Sequence, residues 1–254
     1  MYGANDLFSV IHRDRLTRAL QWIDDLDLPA GSTVLEIGCG AGVLGLELAS
    51  RGFTVHGIDA SAEMVSLANR EAAAAGVSGA FSAEVGDAHS LQFPDSHFGL
   101  VTALGVLPFL HSQPTALREM ARVARSDGHV LLTSDNRYRL NHLLDPSRWP
   151  VSGTFSRFVR GTLLPSSSSS GELPVQYLST GQFAALLSEA GLFPVRRAAI
   201  GYGPLTFFGR SPIPERTSVA IHRRLQQLAD RGLPGLSAIG AQDLVLAVHA
   251  RSGA

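Results

Sequence analysis

The sequence predicts an α/β protein built on a doubly wound, mostly parallel sheet, and three observations carry that prediction. A buried strand, Thr33 to Ile37, runs into a turn with glycine at Gly38, Gly40 and Gly42, and from there into an apolar helix beginning at Val43. One helix length later a second apolar strand ends on an acid, Asp59. Strand-length apolar runs then keep alternating with helical periodicity through Thr133.

Taken in order, Leu16, Leu20, Ile23 and Leu26 fall at three- and four-residue intervals and predict a helix over about 14–26. The first strand is bounded by Pro29 and Gly31, and the helix after the glycine turn carries Leu44, Leu46, Leu48 and Ala49. Ser61 is an N-cap for a helix over 62–75 that turns Met64, Leu67 and Ala68 inward, and Gly76 closes it. Residues 81–85 read as the third strand and 98–104 as the fourth. An amphipathic helix over 116–124 sets Leu117, Met120 and Val123 against Arg118, Glu119 and Arg122. Ser126-Asp127-Gly128 is its exit turn, and 129–133 is the fifth strand. From Arg137 to about Leu178 the periodicity dissolves into loop chemistry, with Trp149-Pro150, Ser152-Gly153 and Pro165 followed by five serines. Ser179 or Thr180 caps a helix that Gly191 stops, and strands six and seven are expected over 195–200 and 242–249. Between them lie a proline-punctuated loop carrying Tyr202, Phe207 and Phe208, read as an apolar pocket wall or as loop packing, and a helix over about 215–231. The expected organisation is a core over 1–136 and 179–254, an inserted cap over 137–178, and a further insertion over 202–240.

A chain of 254 residues suits one large α/β domain with an embellishment, and 45% hydrophobic residues supply an ordinary core. The balance of 21 basic against 22 acidic residues argues against a general binder of nucleic acid or of membrane surfaces. Every basic residue is arginine, so Schiff-base and lysine general-base chemistry are excluded. The same lysine-free, arginine- and alanine-rich composition points to GC-rich coding and a bacterial source. Cys39 is the only cysteine, which rules out an intramolecular disulfide and fits a reducing compartment. No signal-peptide pattern or membrane-spanning apolar run is visible, so a cytoplasmic protein is expected.

The glycine turn is the first candidate site. With three of five positions lacking a Cβ, its backbone N–H groups can approach a ligand at the start of a helix. Glu36 sits near the end of an apolar strand, where a carboxylate is costly without a partner. The phosphate-binding reading is weak, because no Gly-Lys-Ser/Thr follows. Without further signals, the turn is a strand-to-helix connection of any α/β protein.

The run Glu36-Ile37-Gly38-Cys39-Gly40-Ala41-Gly42, with Asp59, resembles the class I S-adenosylmethionine (SAM) dependent methyltransferases, over residues 30–135. The nearest pattern is that of the small-molecule enzymes typified by quinone-biosynthesis methyltransferases. The resemblance implies a Rossmann-like seven-stranded sheet with its last strand antiparallel, and SAM as cofactor. It places Glu36, Gly38, Cys39, Gly40 and Gly42 at the methionine part and Asp59 at the ribose. Ala60 and Met64 then fall beside the adenosine, Asp87 and Ala88 at the adenine, and Leu104 opens the segment beneath the transferable methyl group. Met64 as a core residue and Asp87 as a turn residue capping its own backbone remain the alternatives. Two departures are visible: Gly99 stands where the family usually has Asp, and Ser126-Asp127-Gly128 replaces the more usual Pro-Gly-Gly. The family's N-terminal region often folds over the cofactor, which would bring Tyr2 or His12 within reach; a surface helix with a frayed start is the other reading.

Methyl transfer from a sulfonium needs a general base only when the acceptor arrives protonated. His111 is the candidate, in the segment after strand four, with Tyr138 and His142 behind it. Base-modifying amino-methyltransferases carry an Asn or Asp, two prolines and an aromatic there, and Gly105 to His111 does not, so no nucleic-acid acceptor is expected. Asp135-Asn136 is similar to the pair of magnesium-dependent catechol methyltransferases, but 102–105 offers no second carboxylate, so no metal is expected. Arg137, Arg139, Arg148, Arg157 and Arg160 stand against Asp145 and Glu172, either as a solvated basic loop or as an anion-selecting wall. The expected activity is SAM-dependent O- or N-methylation of an anionic or partly aromatic small molecule, with no membrane partner. A non-methylating enzyme on the same fold, or a non-catalytic binding partner, is the alternative.

Overall fold

The computed structural model describes residues 6–146, 175–208 and 210–249. Helix α1 spans Leu7–Asp24, beginning about two turns earlier than its apolar spacing predicts, because Asp6 caps it through the backbone N–H and hydroxyl of Ser9. Then follow β1 (Thr33–Ile37), α2 (Val43–Ser50), β2 (Thr54–Asp59), α3 (Ala62–Ala74), β3 (Phe81–Val85) and β4 (Phe98–Ala103). A short 3₁₀ turn over Leu107–Phe109 leads to α4 (Gln113–Val123) and β5 (Ala124–Asp135). The chain ends with α5 (Leu140–Leu144), α6 (Thr180–Glu189), β6 (Leu192–Ile200), α7 (Glu215–Asp230), α8 (Leu236–Ile239) and β7 (Gln242–His249).

The strands form one seven-stranded sheet in the order β3-β2-β1-β4-β5-β7-β6, with the last strand antiparallel. β1 pairs in parallel with β2 on one side and β4 on the other, so the strand order reverses between β1 and β4. This is where doubly wound sheets bind ligands. β5 begins earlier than predicted: its exit turn is absorbed as an irregularity opposite Phe98 and Leu100. α4 likewise begins at Gln113, whose side chain donates to the Leu107 carbonyl.

The chain divides into two compact units. The larger, residues 16–134, 181–197 and 244–254, carries the glycine turn; Val34, Leu35, Leu100, Val101, Leu131 and Leu132 are fully buried in it. The smaller comprises residues 1–15, 135–180 and 198–243. Its centre is polar as well as apolar. His222 accepts the Tyr202 N–H at Nδ1 and donates from Nε2 to Asp14, while one turn on Gln226 accepts the Gly201 N–H and donates to the Ala199 carbonyl.

Tyr202 is buried, with its hydroxyl donating to the Leu236 carbonyl, so it is a core residue of this unit and not a pocket wall. Phe207 and Phe208 pack edge to face on each other. The five-serine tract, Trp149, Tyr2, Arg148, Arg157, Arg160 and Glu172 lie outside the described residues.

Candidate functional site

In the larger unit β1 delivers Glu36 and then leaves the sheet through Gly38, Gly40 and Gly42, whose φ values of 68°, 52° and 80° are left-handed. A Cβ on Gly38 would lie 2.3 Å from Val106 Cγ2, so this position needs glycine for both backbone and space. The turn is pinned to β2: Gly38 and Cys39 donate to the Ile58 carbonyl at 2.8 and 3.0 Å. Asp59 completes the junction, accepting the Gly40 N–H on Oδ2 and the Ser61 N–H on Oδ1, both at 2.9 Å. A carboxylate has about four acceptor positions, so Asp59 keeps capacity for a ligand's hydroxyls.

Glu36 lies beneath this turn. It is buried, and its Oε2 has no hydrogen-bond partner among the described residues. Burial pushes its carboxyl up to about 8; the Gly45 N–H opposes this and the charge of Asp59 adds to it. A Cβ on Gly45 would fall 2.4 Å from that same oxygen and 2.5 Å from the Phe81 ring. Gly45 was not singled out from the sequence, although a glycine inside a helix is a signal that something approaches closely. Cys39 is buried, and burial, with Glu36 and Asp59, pushes its thiol up to about 12. Its contribution to the turn is therefore backbone geometry, not nucleophilic sulfur.

Beyond β3, Asp87 Oδ1 accepts the His89 N–H at 2.9 Å and the His89 ring at 2.6 Å, which hold its carboxyl below the usual range. His89 Nε2 accepts the Ser112 N–H, so the ring proton resides on Nδ1, facing Asp87. The His111 ring stacks on His89 with centroids 3.6 Å apart. Asp87, His89 and His111 thus form one cluster, of which the sequence had suggested two members separately. The self-capping reading of Asp87 holds for Oδ1, and the side chain stays 62% exposed. Ala88 is buried, Leu104 is half-buried and Ala60 is exposed. Met64 is exposed, not turned inward; Ser61 Oγ accepts its N–H instead. After β4 the backbone turns at Gly105, whose N–H donates to Thr133 Oγ1 at 2.7 Å, another contact not anticipated from sequence.

The smaller unit holds a cavity of about 610 Å³, within the range of small-molecule sites. Phe8, His12 and Tyr177 supply its aromatic lining. Burial and Arg15 push His12 down to about 4, so the ring is neutral near pH 7. A guanidinium only donates, so Arg15, 3.2 Å from Nδ1, leaves the ring proton on Nε2. Arg139 stands 4.4 Å above the Tyr177 ring and pairs with Asp135 at 2.9 Å, while the other Asp135 oxygen accepts from Gln242.

Asp135 and Asn136 are therefore engaged by protein groups: the Asn136 amide donates to the Ala238 and Gly240 carbonyls and accepts the Tyr138 N–H. His142 lines the cavity, whereas Tyr138 is 53% exposed and does not. Of the five arginines read as a possible anion-selecting wall, Arg139 lines the cavity and Arg137 is exposed.

Comparison with known proteins agrees with this geometry. Residues 35–132 match the family described as Methyltransferase domain. Over 218 residues the chain is 28% identical to a ubiquinone biosynthesis O-methyltransferase of Ralstonia nicotianae, covering 86% of this chain and 85% of that one. Among solved structures, the YcgJ protein of Bacillus subtilis superposes with a TM-score of 0.61 at 23% identity, covering 95% of this chain and all of that one. A second, titled the [4+2]-cyclase SpnF, gives 0.59 at 19% identity over 88% of this chain and 76% of its own. At these identities the two structures speak for the fold alone.

Proposed function

Since this chain is a class I SAM-dependent methyltransferase acting on a small molecule, we propose that it methylates its acceptor at oxygen, with SAM held in the glycine-turn crevice. The observation that carries the placement is the Glu36 carboxyl, buried without a partner for Oε2 under a turn whose backbone is tied to Asp59. SAM bears a sulfonium and an ammonium; Asp59 and Asp87 supply carboxylates that suit a cation, and Glu36 supplies a buried carboxyl oxygen able to accept a hydrogen bond. Bound SAM supplies an electrophilic methyl group, transferred by in-line displacement.

The chain's own residues bind and orient. Gly38, Cys39, Gly40 and Gly42 offer a backbone close enough to touch the methionine part. Asp59 accepts from the ribose hydroxyls, and the exposed Asp87 carboxylate accepts from the adenine amino group. Ala60, Met64, Ala88 and Leu104 form the apolar sides, which accounts for an exposed methionine on α3. His111 takes the acceptor's hydroxyl proton. Holding two reactants in near-attack geometry and excluding water supply most of the rate enhancement in such a reaction.

O-methylation is supported by the similarity to the Ralstonia O-methyltransferase, and no helix among the described residues is long and apolar enough to cross a membrane. The test is incubation with methyl-labelled SAM and a panel of hydroxylated small molecules, followed by mass analysis. A labelled methyl ether supports the proposal. Conversion of an acceptor without gain of the label would identify a non-methylating enzyme instead.

A further inference from the structure

We propose that His89 is a positioning residue that joins the adenine end of bound SAM to His111, so that filling the cofactor crevice also orients the base. The proposal rests on the readings of Asp87 as the adenine acceptor and of His111 as the base. All the groups involved lie in the larger unit.

His89 is held at both ring nitrogens. Nδ1–H donates to Asp87 Oδ1 at 2.6 Å and Nε2 accepts the Ser112 N–H at 3.3 Å, so the ring bridges the loop after β3 to the start of α4. A ring that donates at one nitrogen and accepts at the other cannot flip without losing both bonds. The loop that carries it is clipped to α4 as well. Glu119 accepts the Leu91 N–H at 2.8 Å, and Arg122 donates to the Leu91 and Phe93 carbonyls, each at 2.9 Å.

His111 is the opposite case. It is exposed, and among the described residues its ring makes no hydrogen bond. What sets its plane is the His89 ring, with centroids 3.6 Å apart and planes 25° from parallel. A base contributes to rate only from a defined position, so losing that plane lowers turnover more than binding.

The link to the cofactor runs through Asp87. Both bonds from His89 arrive on Oδ1 and the side chain is 62% exposed, which leaves Oδ2 to accept a ligand N–H. A donor there fixes the carboxylate, the carboxylate fixes His89, and His89 sets the plane of His111. Such a coupling is reciprocal, so it is readable from the cofactor side without any turnover.

The test follows the Cε1 signal of His111 by NMR in the full chain with ¹³C-labelled histidine, assigned through His111→Gln, as S-adenosylhomocysteine is added. In wild type the signal is expected to shift and sharpen. His89→Phe keeps a ring to stack but neither hydrogen bond, and His89→Asn can still donate to Asp87 but cannot stack. Both are expected to lose most of the response at saturating S-adenosylhomocysteine. On a hydroxyl acceptor each should lower kcat by ~10-fold near neutral pH and raise the KM for SAM by less than about threefold, and the kcat deficit should close at higher pH, where the ionised acceptor needs no base. A His111 signal indifferent to S-adenosylhomocysteine in wild type, a full response retained in either variant, or a rate loss confined to the KM for SAM would overturn the inference. A response lost in both variants while His111→Gln turns over at the wild-type rate would leave the coupling standing and remove His111 as the base. A slow His111→Gln beside His89 variants of unaltered kcat would overturn the coupling and leave the base in place.

Discussion

The crevice of the larger unit and the cavity of the smaller one are built in opposite ways. The crevice is made from a few contiguous residues whose backbone does the work: three left-handed glycines tied to the next strand by Ile58 and Asp59. The cavity is made from side chains of α1, α5, the segment at Tyr177 and the loop and helix after β6, separated by up to 236 positions between Asp6 and Gln242. A local backbone device can be read from spacing and tolerates almost no substitution. An assembly of distant side chains leaves no local signature, and each member can change alone.

The largest effect expected from this contrast is at Gly45. Gly45→Val drives a branched side chain into Glu36 and Phe81, so the melting temperature should drop by about 6–12 °C, as for a core overpacked by roughly 3 kcal/mol. A melting curve like that of wild type would show that the turn has slack and that the contrast is overstated.

Glu36→Gln should sharpen the comparison by separating function from stability. The native carboxyl holds its proton up to about 8, whereas the unfolded one loses it near the ordinary value of 4.5. Between these values the native state binds more protons, so wild-type stability falls as pH rises from about 4.5 to about 8 and levels off above. The full span is on the order of a few kcal/mol. The glutamine variant should lack this decline, and so melt above wild type at pH 9 by more than at pH 6, while binding SAM less tightly. Parallel pH–melting profiles would remove Glu36 as the source.

His111→Gln should lower turnover on a hydroxyl acceptor by roughly 100-fold near neutral pH, with partial recovery at higher pH as the acceptor ionises. An unchanged turnover would reduce His111 to a stacking partner of His89.

His12→Gln tests the smaller unit and has the smallest expected effect. The native ring is protonated only below about 4, the unfolded one below 6.5, so stability falls as pH drops through that window and flattens beneath it. Removing the imidazole should shrink the loss of melting temperature across this range by roughly 1–2 °C, the ring being only half-buried. No change would place the acid sensitivity elsewhere.

How much was legible follows from the same contrast. The succession of strands and helices, the glycine turn and the Ser61 cap were readable because each rests on a short-range rule of period, positive φ or side-chain capping. β5 was misjudged at its start, since Ser126-Asp127-Gly128 has turn composition yet is carried as an irregularity within a strand opposite Phe98 and Leu100. Met64 looked like core because helical periodicity reports which residues share a face, not whether protein or ligand covers it. For Tyr202 the sequence left a pocket wall and loop packing open, because aromatic density is visible while its partner His222 lies 20 residues away on a helix that reads as merely amphipathic. Gly45 and the Asn141 oxygen required coordinates: the first is defined by a carboxylate nine residues upstream, the second by the lack of a hydrogen-bond partner among the described residues.

The most direct test of the account is calorimetric titration of SAM and of S-adenosylhomocysteine into wild type and Asp59→Ala. Saturable micromolar binding by wild type, weakened by at least about 100-fold in the variant, is the predicted result, because Asp59 both accepts from the ligand and holds the glycine turn through Gly40. Wild type that binds neither compound, or an Asp59→Ala variant that binds both as well as wild type, would contradict the assignment of the crevice.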